Sequence, residues 1–181
     1  FEDIKHIASA KAEIIDNTKL NGYVVLNGDD KFFTFHKKKA LWKNLNVISF
    51  SIKNKKSNIK LININQKEKK FKIFVKINNQ KKHFIISNNF QNNIYNILAA
   101  LAVMSINMDI LKLKNDIFLN FKTPEGRGDF FKLKIKKKNI NLIDESYNSN
   151  PLSLKSAILN YDKIDKKKSK KYLLIGDMLE L

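Results

Sequence analysis

The sequence predicts an α/β fold with a mixed sheet, and three observations carry that prediction. Residues 23–26 and 172–175 are short apolar runs ending in polar turns, the pattern of parallel strands buried on both faces. Residues 3–16 and 92–108 place apolar side chains at helical spacing. Residues 46–87 alternate apolar with polar positions, which predicts an antiparallel run with one solvated face.

In chain order, residues 3–16 read as an amphipathic helix, with Ile4, Ile7, Ala8, Lys11, Ile14 and Ile15 in phase. Asn21-Gly22 turns the chain into the first apolar strand, which ends in Asn27-Gly-Asp-Asp30. Open α/β sheets bind ligands at such strand ends. Strands follow at 47–52, 59–64, 71–77 and 83–86. The helix at 92–108 has Ile94, Leu98, Leu101 and Ala102 on one face, and Ala99 and Ala100 allow close packing. A second helix is expected at 111–121, then strands at 130–136 and 140–143, a polar segment at 144–150, and a helix from Pro151 to about 161, since Pro suits a first helical turn. Residues 166–171 form a charged connection to the last apolar strand at 172–175.

Of 181 residues, 43% are hydrophobic, enough for a substantial core, and no apolar run approaches the roughly 18 residues of a membrane span. Phe1-Glu-Asp-Ile-Lys-His6 has no signal-peptide character and no initiator Met, so the chain reads as an internal segment of a longer protein. The absence of Cys excludes disulfides and thiolate metal sites, and fits a cytoplasmic protein. The net charge of +18 raises the possibility of a nucleic-acid-binding module. Its distribution argues against one, because every basic residue except Arg127 is Lys, whereas nucleic-acid surfaces favour the planar fork of Arg. Together with 24 Asn, this composition reads as the codon bias of an AT-rich genome, and no nucleic-acid partner is expected.

The scarce residue types point to the chemistry. Of five Gly, Gly126 and Gly128 flank the lone Arg127, Gly28 and Gly176 follow apolar strands, and Gly22 marks an ordinary turn. Arg127 in Pro124-Glu-Gly-Arg-Gly-Asp129 suits a phosphate or an aromatic base, since guanidinium both donates in a fork and stacks; a salt bridge to Glu125 or Asp129 is the structural alternative. The polar cluster Asp144-Glu-Ser-Tyr-Asn-Ser-Asn-Pro151 exceeds what capping the next helix requires, although Asn150 before Pro151 is a good N-cap.

These segments together resemble the Mur ligase superfamily, and within it the branch that adds D-alanyl-D-alanine. Ala8-Ser-Ala-Lys-Ala-Glu-Ile14, Val24-Val-Leu-Asn-Gly-Asp-Asp30, Asn92-Asn-Ile-Tyr-Asn-Ile-Leu-Ala-Ala100 and Gly126-Arg-Gly128 follow one another in the superfamily's order. Asp144–Pro151 and Ile175-Gly-Asp-Met-Leu-Glu-Leu181 are similar to that branch's interdomain hinge and the start of its C-terminal domain. The resemblance implies that residues 1–145 are the C-terminal part of a central, P-loop-type ATP-binding domain with a mixed sheet. Residues 146–181 would open a truncated Rossmann-like C-terminal domain.

The implied activity is amide-bond formation between UDP-N-acetylmuramoyl-tripeptide and D-alanyl-D-alanine through an acyl phosphate, with ATP and Mg²⁺ as cofactors and the enzyme a monomer. Lys11 matches a lysine carbamylated in many Mur ligases, and a carbamate is an oxygen ligand of the kind Mg²⁺ prefers; the alternative is a surface lysine. The resemblance sets Asn93 and Asn96 near adenine, Arg127 near the phosphates and Asp144 near ribose, with Tyr147, Asn148 and Asn150 lining the hinge.

Asn92 stands where the family has His, Glu145 where the hinge has Asp, and Ser149 where it has Ala. No Gly-x-x-x-x-Gly-Lys-Ser/Thr loop occurs, so this segment by itself is expected to be inactive. Another Mur ligase or a folylpolyglutamate synthase is the same-fold alternative.

Overall fold

Successive residues of a strand face opposite sides of a sheet, and in β1 (Tyr23–Asn27) both sides are covered. Val24 and Leu26 join a cluster with Ala12 and Ile15 of α1 (Ile4–Asn17) and Ala40 of α2 (Phe33–Trp42). Val25 packs instead into the larger core with α3 (Ile94–Met104). Val47 and Ile48 of β2 (Asn46–Ser51) divide between the two clusters in the same way. This double burial is why the first strand reads as an unbroken apolar run.

This computed structural model of the chain describes residues 3–67, 70–87, 93–121, 125–147, 150–164 and 170–178. They fall into two compact units, within residues 1–121 and 122–181. In the first unit the sheet order is β1-β2-β3-β4-β5, with β3 (Ile59–Lys67), β4 (Lys70–Ile77) and β5 (Gln80–Ser87) completing the mixed sheet. β3, β4 and β5 pair antiparallel, as their alternation predicts. Their inward residues Ile59, Leu61, Phe71, Ile73, Val75, Phe84 and Ile86 meet Ile94, Ile97, Leu98 and Leu101 of α3 in the main core. A register shift between Leu61 and Asn63 re-aims β3, so that Ile64 pairs with Ile73 while Ile62 is left exposed.

Glycine is scarce here, and asparagine takes over its conformational role. Asn21, Asn44 and Asn78 all adopt positive φ, a region asparagine tolerates better than most residues.

The structure departs from the sequence-based expectations at four places. β2 is parallel to both neighbours and does not belong to the antiparallel run. So short a connection as 52–58 suffices because β2 and β3 overlap only at Phe50–Ile59 and Ser51–Lys60, end to start. α2 is a helix the pattern did not reveal.

The expected helix at 111–121 is a single 3₁₀ turn, Ile110–Lys112, followed by turns. That segment serves the outer edge of β5: Ile85 N–H donates to Asn115 O at 2.7 Å, and Lys82 Nζ to Leu111 O at 2.6 Å. A helix would have used those carbonyls internally. Finally, residues 172–175 are neither buried nor strand, with Tyr172 78% and Leu174 100% exposed. No strand among the described residues lies beside them to complete a ladder.

The second unit holds the hairpin β6 (Asp129–Ile135) and β7 (Lys138–Asp144) and the helix α4 (Pro151–Lys163). Lys171 Nζ donates to the carbonyls of Tyr161 and Ile164 at the end of α4. Tyr161 Oη donates to Tyr172 O and accepts from Tyr172 N–H, which fixes residues 171–172 on the helix.

Candidate functional site

In the first unit, α1 starts at Asp3, whose carboxylate accepts from His6 N–H at 2.8 Å, and buries Ala8, Ala12 and Ile15. That buried stripe is narrower than the expected apolar face, because Ile4 and Ile14 are exposed. Lys11 is also exposed, at the rim of a groove of about 350 Å³ between α1, β1 and α2. Asn27, Asp30 and His36 contribute its polar lining. Among the described residues Lys11 has no ion-pair partner, whereas nearby Lys39 binds Asp16 at 2.7 Å.

His36 was not singled out by the sequence, because it sits on the helix the pattern missed. Its Nε2 hydrogen-bonds Ala8 O at 3.0 Å, tying α2 to α1. The signal that could have revealed α2 is Asp30, whose carboxylate accepts from Phe32 N–H at 2.7 Å and turns the chain into the helix.

Next to Asp30, Asp29 points the other way. Its carboxylate accepts from Ile52 N at 2.6 Å, Asn54 N at 2.7 Å and Lys53 N at 3.0 Å. Tyr95 Oη of α3 donates a further bond at 3.1 Å. Burial acts to raise the Asp29 pKa, but these hydrogen bonds together outweigh it and hold the carboxyl below its ordinary value. Tyr95 is pushed up in turn, by burial first and then by its bond to the charged Asp29.

One turn of α3 brings the two expected base-contacting residues together: Asn96 Nδ2 donates to Asn93 Oδ1 at 3.0 Å. Asn93 sits at the N-cap position without a side-chain bond to the helix backbone.

In the second unit, the Gly-Arg-Gly loop and the segment after β7 are joined at the mouth of the hairpin. Gly128 N–H donates to Asp144 O at 2.8 Å, and Tyr147 N–H to Gly126 O at 3.1 Å. Gly126 (φ 73°) and Gly128 (φ 83°) both take positive φ, and a Cβ on Gly126 would lie 2.9 Å from Tyr147 N. Arg127 makes no ion pair with Glu125 or Asp129; its guanidinium stacks over Tyr147, 4.5 Å from the ring centroid. Asp129 accepts Gly126 N–H instead, at 2.7 Å.

Asp144 accepts from Ser146 N–H at 2.9 Å, and its bonds to the Ser146 side chain and backbone hold its carboxyl below the usual value. Glu145 is pushed upward, first by partial burial and then by the Asp129 and Asp144 charges. Asn150 is a helix cap: its side chain accepts from Ser153 N–H at 2.9 Å, while its own N–H donates to Ser153 Oγ at 2.9 Å. Asn148, also expected at the hinge, lies outside the described residues.

The structure therefore brings Asn93 to Asn96 and, in the second unit, Arg127 to Tyr147 beside Asp144, while Lys11 lines a groove of the first unit. Among the described residues no three His, Asp or Glu side chains converge as a metal cluster, and no helix is long and apolar enough to cross a membrane.

Comparison with known proteins gives a consistent picture. The family description Mur ligase middle domain matches residues 1–104. A curated UDP-N-acetylmuramoyl-tripeptide--D-alanyl-D-alanine ligase from Buchnera aphidicola subsp. Acyrthosiphon pisum (strain APS) is 33% identical over 190 residues, covering all of this chain and 38% of that protein. Among solved structures, MurF from Acinetobacter baumannii superposes with a TM-score of 0.68 at 20% identity, over 88% of this chain and 33% of that one. MurF ligase from Thermotoga maritima in complex with ADP gives 0.63 at 23% identity, over 86% and 34%. A UDP-N-acetylmuramoyl-L-alanyl-D-glutamate--2,6-diaminopimelate ligase gives 0.64 at 16% identity, over 90% and 33%. These superpositions establish the fold, which branches with different acceptors share. The chain spans about 38% of the length of the curated relative it matches.

Proposed function

Because the chain belongs to the Mur ligase family, we propose that the longer protein containing it is an ATP-dependent ligase that adds D-alanyl-D-alanine to UDP-N-acetylmuramoyl-tripeptide in the cytoplasm. The γ-phosphoryl group of ATP passes to the peptide carboxylate, giving an acyl phosphate and ADP. The amine of D-alanyl-D-alanine then attacks the acyl carbon and releases phosphate, which leaves an amide bond. Such chemistry rests on positioning and on neutralising charge on the transferring group.

The observation that carries this reading is the junction of Gly126-Arg127-Gly128 with Asp144–Tyr147 at one hairpin mouth. It sets the only arginine of the sequence beside the part of the hinge that, with residues 175–181, resembles the D-alanyl-D-alanine branch. In this reading Arg127 binds phosphate, Asp144 accepts a ribose hydroxyl, and Asn93 and Asn96 face the base. Tyr147, Asn148 and Asn150 line the hinge, with Asn150 also capping α4. The reading places the domain junction at 145/146, one hairpin downstream of the division between the compact units.

Mg²⁺ is commonly held by one or two carboxylates plus substrate phosphates, and the chemistry of the Lys11 groove fits that requirement. Asp30, together with Lys11 as a carbamate, would be the protein's ligands, and the ion would neutralise phosphate charge. Lys11 has no competing ion pair among the described residues, which leaves its amine open to carbamylation.

The test is phosphate release by the full-length enzyme, with each substrate omitted in turn. Release that requires UDP-muramoyl-tripeptide and D-alanyl-D-alanine together supports the proposal. Release with a single amino acid as acceptor would reassign the protein to another Mur ligase branch or to a folylpolyglutamate synthase type.

A further inference from the structure

Asp29 has no part in the chemistry just described, yet four donors converge on its carboxylate. The N–H groups of residues 52, 53 and 54 already fix it against the 52–58 connection. The fourth bond, from Tyr95, therefore adds little to the turn itself. What it adds is a tether from the end of β1 to the first turn of α3.

Among the described residues, no side chain caps that turn. Asn93 does not cap it; the Asn93 side chain is engaged by Asn96 instead. An uncapped first turn frays more readily than a capped one. The other end of the tether is firm. Gly28 N–H donates to Phe50 O at 2.7 Å, Asn54 Nδ2 donates to Gly28 O at 3.0 Å, and a Cβ on Gly28 would collide with Ser57 Oγ and lie 3.3 Å from Phe50 O. Asn27 and Asp30, on either side of this Gly28-Asp29 pair, line the Lys11 groove.

We infer that Tyr95, acting through Asp29, is a positioning residue: it holds the Asn93–Asn96 edge in register with the strand end that lines the Lys11 groove, and so sets how selectively the site reads the nucleotide base. This rests on the assignment of Asn93 and Asn96 to the base edge. Amide side chains recognise a purine by matching donors to acceptors, and such discrimination is lost when the polar groups shift out of alignment. A free first turn would still bind triphosphate, but would distinguish adenine from guanine less well.

The experiment compares kcat/KM for ATP and for GTP in phosphate release by the full-length enzyme. Y95F removes the hydroxyl and keeps the ring. It should reduce the ATP-over-GTP preference about fivefold to tenfold, the scale of one typical net hydrogen bond, mainly through KM for ATP. The KM values of the other two substrates should stay unchanged. A tyrosine that only supported the fold would lower both nucleotides alike, and that result would overturn the inference.

D29N should reproduce the loss, and Y95F should add little in the D29N background, because both substitutions break one tether. A full additional loss in the double variant would show that Tyr95 acts by another route. N96A separates the two levels of the argument. If N96A lowers the preference and Y95F does not, the positioning role fails alone; if N96A has no effect, the base-edge assignment fails and takes the inference with it. Should D29N not fold, the Y95F and N96A comparison decides the matter.

Discussion

The Arg127 guanidinium lies over the Tyr147 ring, 4.5 Å from its centroid. A guanidinium held over a ring face keeps its N–H groups available as donors, and in the proposed function those donors meet phosphate. R127K keeps the charge but loses both the fork and the stack, so kcat/KM for ATP in the full-length enzyme should fall about tenfold or more. Y147F should be close to wild type and Y147A should resemble R127K. Unchanged kinetics in R127K would mean that Arg127 serves only to hold the hairpin mouth.

Gly126 and Gly128 share positive φ but differ in surroundings. An added Cβ at Gly126 meets Tyr147 N at 2.9 Å, whereas at Gly128 the nearest atom is Glu145 Oε1 at 3.4 Å. Each substitution with Ala incurs the left-handed penalty of about 1–2 kcal/mol, and G126A adds a backbone clash. In urea unfolding, G126A should be the more destabilised of the two. The reverse order would contradict the described mouth geometry.

The tip of the hairpin is strained in a correctable way. Lys136 and Lys137 both take positive φ, at 45° and 64°, the signature of a type I′ turn, which Asn-Gly fills best. K136N/K137G should stabilise the protein by about 1 kcal/mol, measurable as a raised urea midpoint. A lowered midpoint would count against the turn assignment.

Glu145 makes stability depend on pH. Partial burial and the neighbouring Asp129 and Asp144 charges raise its folded-state pKa above the ordinary 4.5. The folded state therefore binds the proton more tightly than the unfolded state, and stability falls as pH rises from about 4.5 through the raised folded value. E145Q removes that loss. Its melting temperature should exceed that of wild type at pH 7, and the difference should vanish near pH 4. An equal difference at both pH values would exclude the charge mechanism.

The sequence revealed the elements whose burial is periodic. α3 is legible because Ile94, Leu98, Leu101 and Ala102 are all buried on one face, and β4 because its inward residues alternate strictly. α2 was hidden because its burial is confined to Ala40, and the contacts that hold it are polar: His36 to Ala8 O, Lys39 to Asp16, and Lys43 Nζ to the Asp16 carbonyl. The direction of β2 was equally hidden, since alternation reports faces and says nothing of parallel or antiparallel pairing.

At the candidate site, the lone Arg and its two glycines were visible from composition, and the stacking partner Tyr147 was already singled out within the hinge motif. Their contact spans twenty residues of hairpin, which no local pattern encodes. The Asp29–Tyr95 bond lay beyond reach for the same reason, joining residues 66 apart in sequence. Asn150 was correctly read as a cap from its place before Pro151.

The strap of residues 110–118 has a topological consequence. By placing Asn115 O on Ile85 N–H, it occupies the outer border of β5 and blocks any newcomer there. Among the described residues of the first unit, the sheet is thus open to enlargement alongside β1. A sixth strand of this sheet, wherever in the gene it is encoded, would be added from that flank, next to the groove that Lys11 faces.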